Sequence, residues 1–298
     1  MTLPIEIHDL TLNYGETTAL DGISLTLEGG RIHGLLGRNG SGKTSLLSVI
    51  AAFRRPTSGE VRIGGQPVWE NPAITSQIAF IRESGDTVED SEKVKEALRW
   101  AAWLRPNWNA DRAAALLDRF EVSPNDKISD LSRGRRSALG IALGLAARAP
   151  ITIFDETYLG LDAPSRYAFY DELLNDYMAH PRTFIISTHL IEEISRIFEE
   201  VTIIDRGRLL LQDETEALLT RGAAITGPAD AVDRHVDGLP VIGQRQLGRT
   251  KSVTVYARLD DTQRRHMREA GLEIEPVPMQ DLFVHLNAPR EERSDEPR

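Results

Sequence analysis

The sequence predicts an α/β fold built on a mainly parallel sheet, and three observations carry this. Short apolar runs that read as strands alternate with segments of helical period over most of the chain. A glycine-rich octapeptide, Gly37-Arg38-Asn39-Gly40-Ser41-Gly42-Lys43-Thr44, lies between one such strand and one such helix. After about residue 219 the composition loosens around Gly222, Gly227 and Pro228, and a shorter pattern of mixed strands and helices follows.

Taken in order, residues 5–12 and 18–27 alternate apolar and polar side chains, the period of a strand. Gly29-Gly30 turns the chain into an apolar strand at 32–36, just ahead of the octapeptide, and residues 45–50 begin a helix. Pro56-Thr57-Ser58-Gly59 is a turn, residues 60–63 a short strand, and Gly64-Gly65 closes a hairpin. From Ser91 the period becomes helical, with Val94, Ala97, Leu98, Ala101, Ala102 and Leu104 on one face. Pro106-Asn107 breaks that helix, residues 110–120 form a second, and 137–148 form a third made of small residues. This stretch, 91–148, reads as a helical insert between the octapeptide and the next core strand. Its Trp100, Trp103 and Trp108 read mainly as helical core packing. Residues 151–154 and 183–187 read as buried strands, 165–178 and 191–198 as helices, and 201–204 with 209–211 as strands flanking Asp205-Arg206-Gly207.

The expected division is a nucleotide-binding domain over 1–219, with its helical subdomain at about 85–150, then a small α+β appendage over 220–288 and a disordered tail over 289–298. In the appendage, 251–257 and 272–276 read as strands and 261–270 and 280–286 as helices. Its His235, His266 and His285 lack ligand spacing.

Composition narrows the function classes. A chain of 298 residues holds one large α/β domain plus a small one. The net charge of −10 argues against nucleic acid as a partner. There is no cysteine, which excludes disulfides, thiolate nucleophiles and cysteine metal sites. The first residues lack the basic and apolar regions of a signal peptide. The longest apolar stretch, 138–147, is too short to span a bilayer. A soluble chain is expected, with any membrane role supplied by a partner.

The octapeptide is a phosphate-binding loop. Its glycines let successive N–H groups face one phosphate chain, and the helix that follows adds its positive dipole end. Lys43 reaches the β- and γ-phosphates, and the Thr44 hydroxyl binds Mg²⁺. The strand at 151–154 ends in Asp155-Glu156. A carboxylate at a strand's C-terminal end lies beside the loop in this topology, so Asp155 suits Mg²⁺ and Glu156 the polarisation of an attacking water. His189 follows another strand and would face the γ-phosphate as a hydrogen-bond donor. Ser132, in Leu131-Ser132-Arg133-Gly134-Arg135-Arg136-Ser137, offers a second anion site at a helix start, or a plain helix cap. Tyr14 offers a ring for stacking on a base, or is a core or surface tyrosine.

Together these motifs resemble the nucleotide-binding subunit of an ATP-binding-cassette (ABC) transporter, over about residues 5–219. The loop, the segment at 131–137, Asp155-Glu156, Gly160-Leu161-Asp162 and His189 occur in the family's order and approximate spacing. Arg105-Pro106-Asn107-Trp108 and the basic signature are similar to bacterial subunits serving antibiotic and multidrug exporters. The resemblance implies a P-loop NTPase fold with an antiparallel N-terminal β-subdomain, and ATP and Mg²⁺ as cofactors. It implies that Tyr14 stacks on adenine, that Gly37 to Thr44 hold the phosphates, and that Glu156 and His189 carry hydrolysis. It also implies that Ser132 and Gly134 contact the γ-phosphate on a second subunit and that Asp162 helps join the two sites. Partners would be a second copy of the chain, or a homologous ATPase subunit, and a separate transmembrane permease. That places the chain at the cytoplasmic face of the membrane.

Three departures stand out. Arg133 and Arg135 replace a Gly and the Gln of the usual Leu-Ser-Gly-Gly-Gln signature. Glu83 stands where the family has the glutamine that reaches Mg²⁺; a glutamate still ligates Mg²⁺ but adds charge. Thr157-Tyr158 replaces the Pro-Thr that commonly follows Asp-Glu. Competing expectations are a soluble ABC-type ATP switch without a transport role, and an ATP-binding module with little hydrolysis.

Overall fold

The computed structural model describes residues 2–82 and 91–286. β1 (Ile5–Tyr14) pairs antiparallel with β2 (Thr17–Leu27), so the alternation buries Ile5, Ile7, Leu10 and Leu12 on one face. The register slips between Ile7 and Leu10, where Asp9 takes a φ of 45°, the signature of a bulge. Tyr14 is the last residue of β1, where the sequence placed it just beyond the strand. β3 (Ile32–Leu36) leads through the glycine-rich loop into α1 (Lys43–Ile50). β4 (Ser58–Ile63) and β5 (Gln66–Pro67) complete a four-stranded antiparallel sheet ordered β2-β1-β4-β5. The single helical turn α2 (Pro72–Thr75) then enters β6 (Ile78–Arg82).

β6 is absent from the sequence reading, and its presence moves the helical insert. The insert lies between two core strands, β6 and β7, and not directly after the loop. It contains α3 (Val94–Leu104), α4 (Ala110–Arg119) and α5 (Arg133–Ala146). α5 begins four residues earlier than the apolar period suggested, because its exposed first turn is basic and carries no apolar repeat. Of the three tryptophans read mainly as core, Trp100 and Trp103 are exposed, Trp103 by 77%.

β7 (Ile151–Asp155), α6 (Ala163–Ala179), β8 (Thr183–Thr188), α7 (Ile191–Ile194), β9 (Glu200–Asp205) and β10 (Arg208–Glu214) follow. The second sheet has six strands in the order β10-β9-β3-β8-β7-β6, and its β9, β3, β8, β7 and β6 are parallel. β3, β7 and β8 are buried along their whole length. That is why they read as unbroken apolar runs and not as alternation. Arg206 and Gly207, at φ 47° and 76°, join β9 to β10 in a two-residue turn whose backbone twist suits a hairpin. A continuous core that includes Leu10, Ile23, Leu46, Ile50, Ile63, Ile153 and Ile185 fills the space between the antiparallel sheet, α1 and the parallel sheet.

The insert is tied to this core by ions as well as by packing. Arg112 of α4 meets Glu172 of α6 at 2.7 Å, and Arg182, paired with Asp176 of α6, donates to the carbonyl oxygen of Leu145 in α5 at 3.2 Å.

The chain divides into two compact units: one of residues up to His189 with Ile197–Gln212, the other of Leu190–Arg196 with the residues from Asp213 onward. The second unit holds α7, α8 (Thr215–Arg221), β11 (Gly222–Pro228), α9 (Ala229–Val236), β12 (Val241–Leu247), β13 (Thr250–Tyr256), α10 (Asp261–Glu269), β14 (Glu273–Pro276) and α11 (Met279–Leu286). Its antiparallel sheet, ordered β12-β13-β11-β14, has its own core of Ala223, Ile225, Val232, Val253, Val255 and Leu272. Asp260 and Gln263 close a reciprocal capping box on α10. The tail read as disordered lies outside the described residues.

Candidate active site

Register brings the predicted residues together. Leu36, the last residue of β3, pairs with Thr188 of β8; Asp155 of β7 pairs with Ser187 on one side and Arg82 of β6 on the other. The loop after β3, Asp155-Glu156 after β7 and His189 after β8 therefore emerge at one level, at the C-terminal edge of a parallel sheet. That edge is where open α/β sheets bind ligands. Glu83 directly follows β6 but lies outside the described residues, so its place at this edge rests on sequence alone.

The loop demands its glycines. A Cβ on Gly37 would stand 2.2 Å from Ser41 Oγ and 2.7 Å from the carbonyl oxygen of Ile204. Gly42 caps α1 at φ 105°, and a Cβ there would stand 2.7 Å from the carbonyl oxygen of Ala19. Arg38 carbonyl oxygen accepts from the Ser41 N–H at 3.1 Å, and Ser41 carbonyl oxygen from the Gly207 N–H at 2.9 Å, which closes the loop against the β9–β10 turn. Lys43 is only 5% exposed and donates to the carbonyl oxygens of Gly37 at 2.8 Å and Arg38 at 3.2 Å. Its Nζ also lies 3.3 Å from Glu156 Oε1. Gly42, Lys43, Asn39, Gly40, Thr44 and Thr17 to Ala19 line a cavity of about 350 Å³ that includes Glu156.

Asp155 is buried, and desolvation pushes its carboxyl up from the ordinary range, while hydrogen bonds from Ser187 and Thr44 oppose the shift. Ser187 Oγ donates to Asp155 Oδ1 at 2.5 Å and accepts from the Glu156 N–H at 3.0 Å. One hydroxyl thus orients both acidic residues. Glu156 sits at φ 50°, a left-handed conformation that costs a non-glycine residue about 1–3 kcal/mol. That turn directs its carboxylate to a point between Lys43 and His189, whose Nδ1 is 3.4 Å from the same Oε1.

Tyr14 is 44% exposed, with the Arg54 guanidinium 5.8 Å from its ring centre. Its ring is exposed beside that cation. Ser132 is a helix cap: its Oγ accepts from the Arg135 N–H at 3.3 Å at the start of α5. Ser132, Gly134 and Asp162 share a cavity of about 450 Å³ with Arg133, Arg135 and Gly160. No residue lines both this cavity and the one at the loop. Gly134 and Gly160 cross closely, since a Cβ on Gly134 would stand 2.8 Å from the carbonyl oxygen of Gly160. Asp162 caps α6 by accepting from the Ser165 N–H at 3.0 Å.

Thr44 and Asp155 supply hard oxygen donors that already meet, which fits Mg²⁺, an ion that keeps few protein ligands and shares its shell with phosphate and water. Among the described residues no group of three or more His, Cys, Asp or Glu side chains forms a self-sufficient metal cage.

Sequence reasoning missed Ser187, Tyr158 and Arg54. The first had a signal: Ser187-Thr188 puts two hydroxyls at the end of an apolar strand, immediately before His189. Arg54 had none, because its contact with Tyr14 spans the fold.

The family model for ABC transporters matches residues 20–158, the stretch that carries the loop and Asp155-Glu156. The chain is 27% identical to a Nod factor export ATP-binding protein I of Paraburkholderia xenovorans, over 95% of this chain and 96% of that one. It is also 27% identical to a daunorubicin resistance ATP-binding protein of Streptomyces coeruleorubidus, over 92% of each. Among solved structures, the ATP-binding subunit of an ABC transporter superposes with a TM-score of 0.65 at 23% identity, over 73% of this chain and 92% of that one. A dimeric ATP-binding cassette in a post-hydrolysis state with ADP and Pi superposes with a TM-score of 0.63 at 21% identity, over 71% of this chain and 98% of that one. With the loop, the paired carboxylates and the signature cavity in place on this fold, the chain carries an ABC transporter ATP-binding domain over residues 20–158 and is similar along most of its length to ATP-binding-cassette ATPases.

Proposed function

We propose that the chain is the ATP-hydrolysing subunit of an exporter, that two copies close on ATP, and that this motion drives a separate membrane-spanning subunit. The observation that carries this reading is the separation of the two cavities. The loop cavity holds phosphate-binding groups and Glu156, while the signature residues Ser132 and Gly134 line another that shares none of its residues. A single copy therefore has two half-sites, and a head-to-tail pair of copies makes them whole.

In this reading the loop amides and Lys43 hold the phosphates, and Tyr14 stacks on adenine. Thr44 and Asp155, with Glu83, hold Mg²⁺, which neutralises phosphate charge when bound. Glu156 takes the proton of the attacking water, and His189 donates to the charge that develops. Ser132 and Gly134 of one copy contact the γ-phosphate on the other, and Asp162 lies where the two sites join.

The relatives named for Nod factor export and daunorubicin resistance support export as the direction. Among the described residues no helix is long and apolar enough to cross a membrane, so the membrane path falls to a partner. The exposed Trp100, Trp103 and Leu104 of α3 give that partner an apolar surface on the insert, and hold the chain at the cytoplasmic face of the membrane.

The test is Glu156→Gln. With ATP and Mg²⁺ the purified variant should bind nucleotide, lose hydrolysis and run as a dimer by light scattering. A variant that stays monomeric and turns over normally overturns the reading. Co-purification of the native chain with a multi-span membrane protein tests the partner.

A further inference from the structure

We propose that Thr157 and Tyr158 are positioning residues for hydrolysis: their hydroxyls staple the turn after Glu156 to the strands on both sides, which fixes His189 against Glu156. The inference rests on the reading of Glu156 as base and His189 as donor.

β7 lies between β6 and β8. The left-handed backbone of Glu156 throws the next residues into a short helical turn, Thr157–Gly160. Thr157 Oγ1 donates to the carbonyl oxygen of Ile81 in β6 at 3.1 Å. The Tyr158 hydroxyl donates to Thr188 Oγ1 in β8 at 2.5 Å. Thr157, Tyr158 and Thr188 are all buried. A buried hydroxyl stripped of its partner is costly, so each bond resists opening. The Tyr158 ring is further pinned by an edge contact with Tyr170, their centres 6.3 Å apart.

The two bonds land where they matter. Ile81 is two residues before Glu83, and Thr188 immediately precedes His189. The bond from Tyr158 sets the strand end from which His189 reaches Glu156 at 3.4 Å. A proline at position 157, as in the Pro-Thr that commonly follows Asp-Glu in the family the motifs resemble, would have no hydroxyl to give to β6. With the strand ends tied through the turn, the base and the donor keep one spacing when ligand enters.

The test is steady-state ATP hydrolysis by the full chain. Tyr158→Phe keeps the ring and removes the donor; Thr188→Val removes the acceptor; Thr188→Ser keeps it. Tyr158→Phe and Thr188→Val should each lower kcat roughly tenfold, the scale of a small misplacement at a reacting centre. KM for ATP should stay within about twofold, because the phosphate loop is untouched. The double variant should be no slower than the slower single, since both break one bond. Thr188→Ser should retain most of the activity, and it keeps the inference testable if Tyr158→Phe folds poorly. Losses that appear in KM and not kcat, that add in the double variant, or that Thr188→Ser fails to rescue overturn it. Glu156→Gln in the same assay separates the two ideas. If it turns over, the base assignment falls; if it is inactive while Tyr158→Phe matches the native chain, only the staple falls.

Discussion

Lys43 Nζ lies 3.3 Å from Glu156 Oε1, so the loop lysine and the carboxylate after β7 hold one another across the nucleotide cavity. In the proposed reaction both groups have a second task once ATP arrives, and the pair would have to part for either to perform it. Lys43→Ala removes the charge-assisted contacts to phosphate, each worth about 1.5–3 kcal/mol. ATP affinity should fall about ten- to a hundredfold, read by equilibrium nucleotide binding. Unchanged affinity would show that the backbone amides suffice.

Burial opposes the charge on Asp155. Its carboxylate is buried, and desolvation outweighs the hydrogen bonds from Ser187 and Thr44. Asp155→Asn keeps an acceptor for the Ser187 hydroxyl and removes the charge. Without Mg²⁺, the variant's Tm should rise by a few degrees, the shift that about 1 kcal/mol produces in a chain of this size. Hydrolysis should be lost. A lower Tm in calorimetry would show that the charge is stabilising.

His33 makes the fold sensitive to acid. It is 1% exposed and lies at the other end of β3 from the loop. Its Nε2 donates to the carbonyl oxygen of Glu28 at 2.8 Å, which leaves Nδ1 unprotonated and 3.7 Å from Glu200 Oε2. Burial lowers its pKa below 6.5, the Glu28 bond and the Glu200 and Glu199 charges oppose that, and Arg31 adds to it. The unfolded chain therefore takes up this proton first as pH falls. The neutral ring costs nothing above about pH 6.5, and stability drops below it by up to about 1.4 kcal/mol per pH unit until the folded ring titrates. His33→Gln keeps a donor for Glu28 and should flatten the fall of urea-unfolding stability below about pH 6.5. An unchanged slope would assign the acid sensitivity to other groups.

What was legible in the sequence followed from burial and from motif. β3, β7 and β8 announce themselves because helices and a second sheet cover both faces, so most of their residues are apolar or small. β6 is just as buried over its first four residues, and its run Ile78-Ala79-Phe80-Ile81 carries the same signal, although the sequence reading does not include it. β11, α9 and β12 were hidden by glycines and prolines that loosen the pattern without ending the elements. The phosphate loop, Asp155, Glu156 and His189 could be named because their chemistry depends on local spacing. The partners of Ser187 and Tyr158 could not, since register between strands sets them: Ser187 faces Asp155 only because β7 and β8 pair in that phase.

The crossing of Gly134 with Gly160 has a mechanical consequence. No layer of side chains lies between the two backbones there, so nothing soft absorbs displacement. A push on the first turn of α5 is delivered to a segment that begins four residues away at Glu156. In a closed pair of copies that turn of α5 would rest on the partner's nucleotide. Each subunit would then feel the occupancy of its neighbour's site as strain on its own base, and the two hydrolysis events would be timed against one another without any contact between the nucleotides.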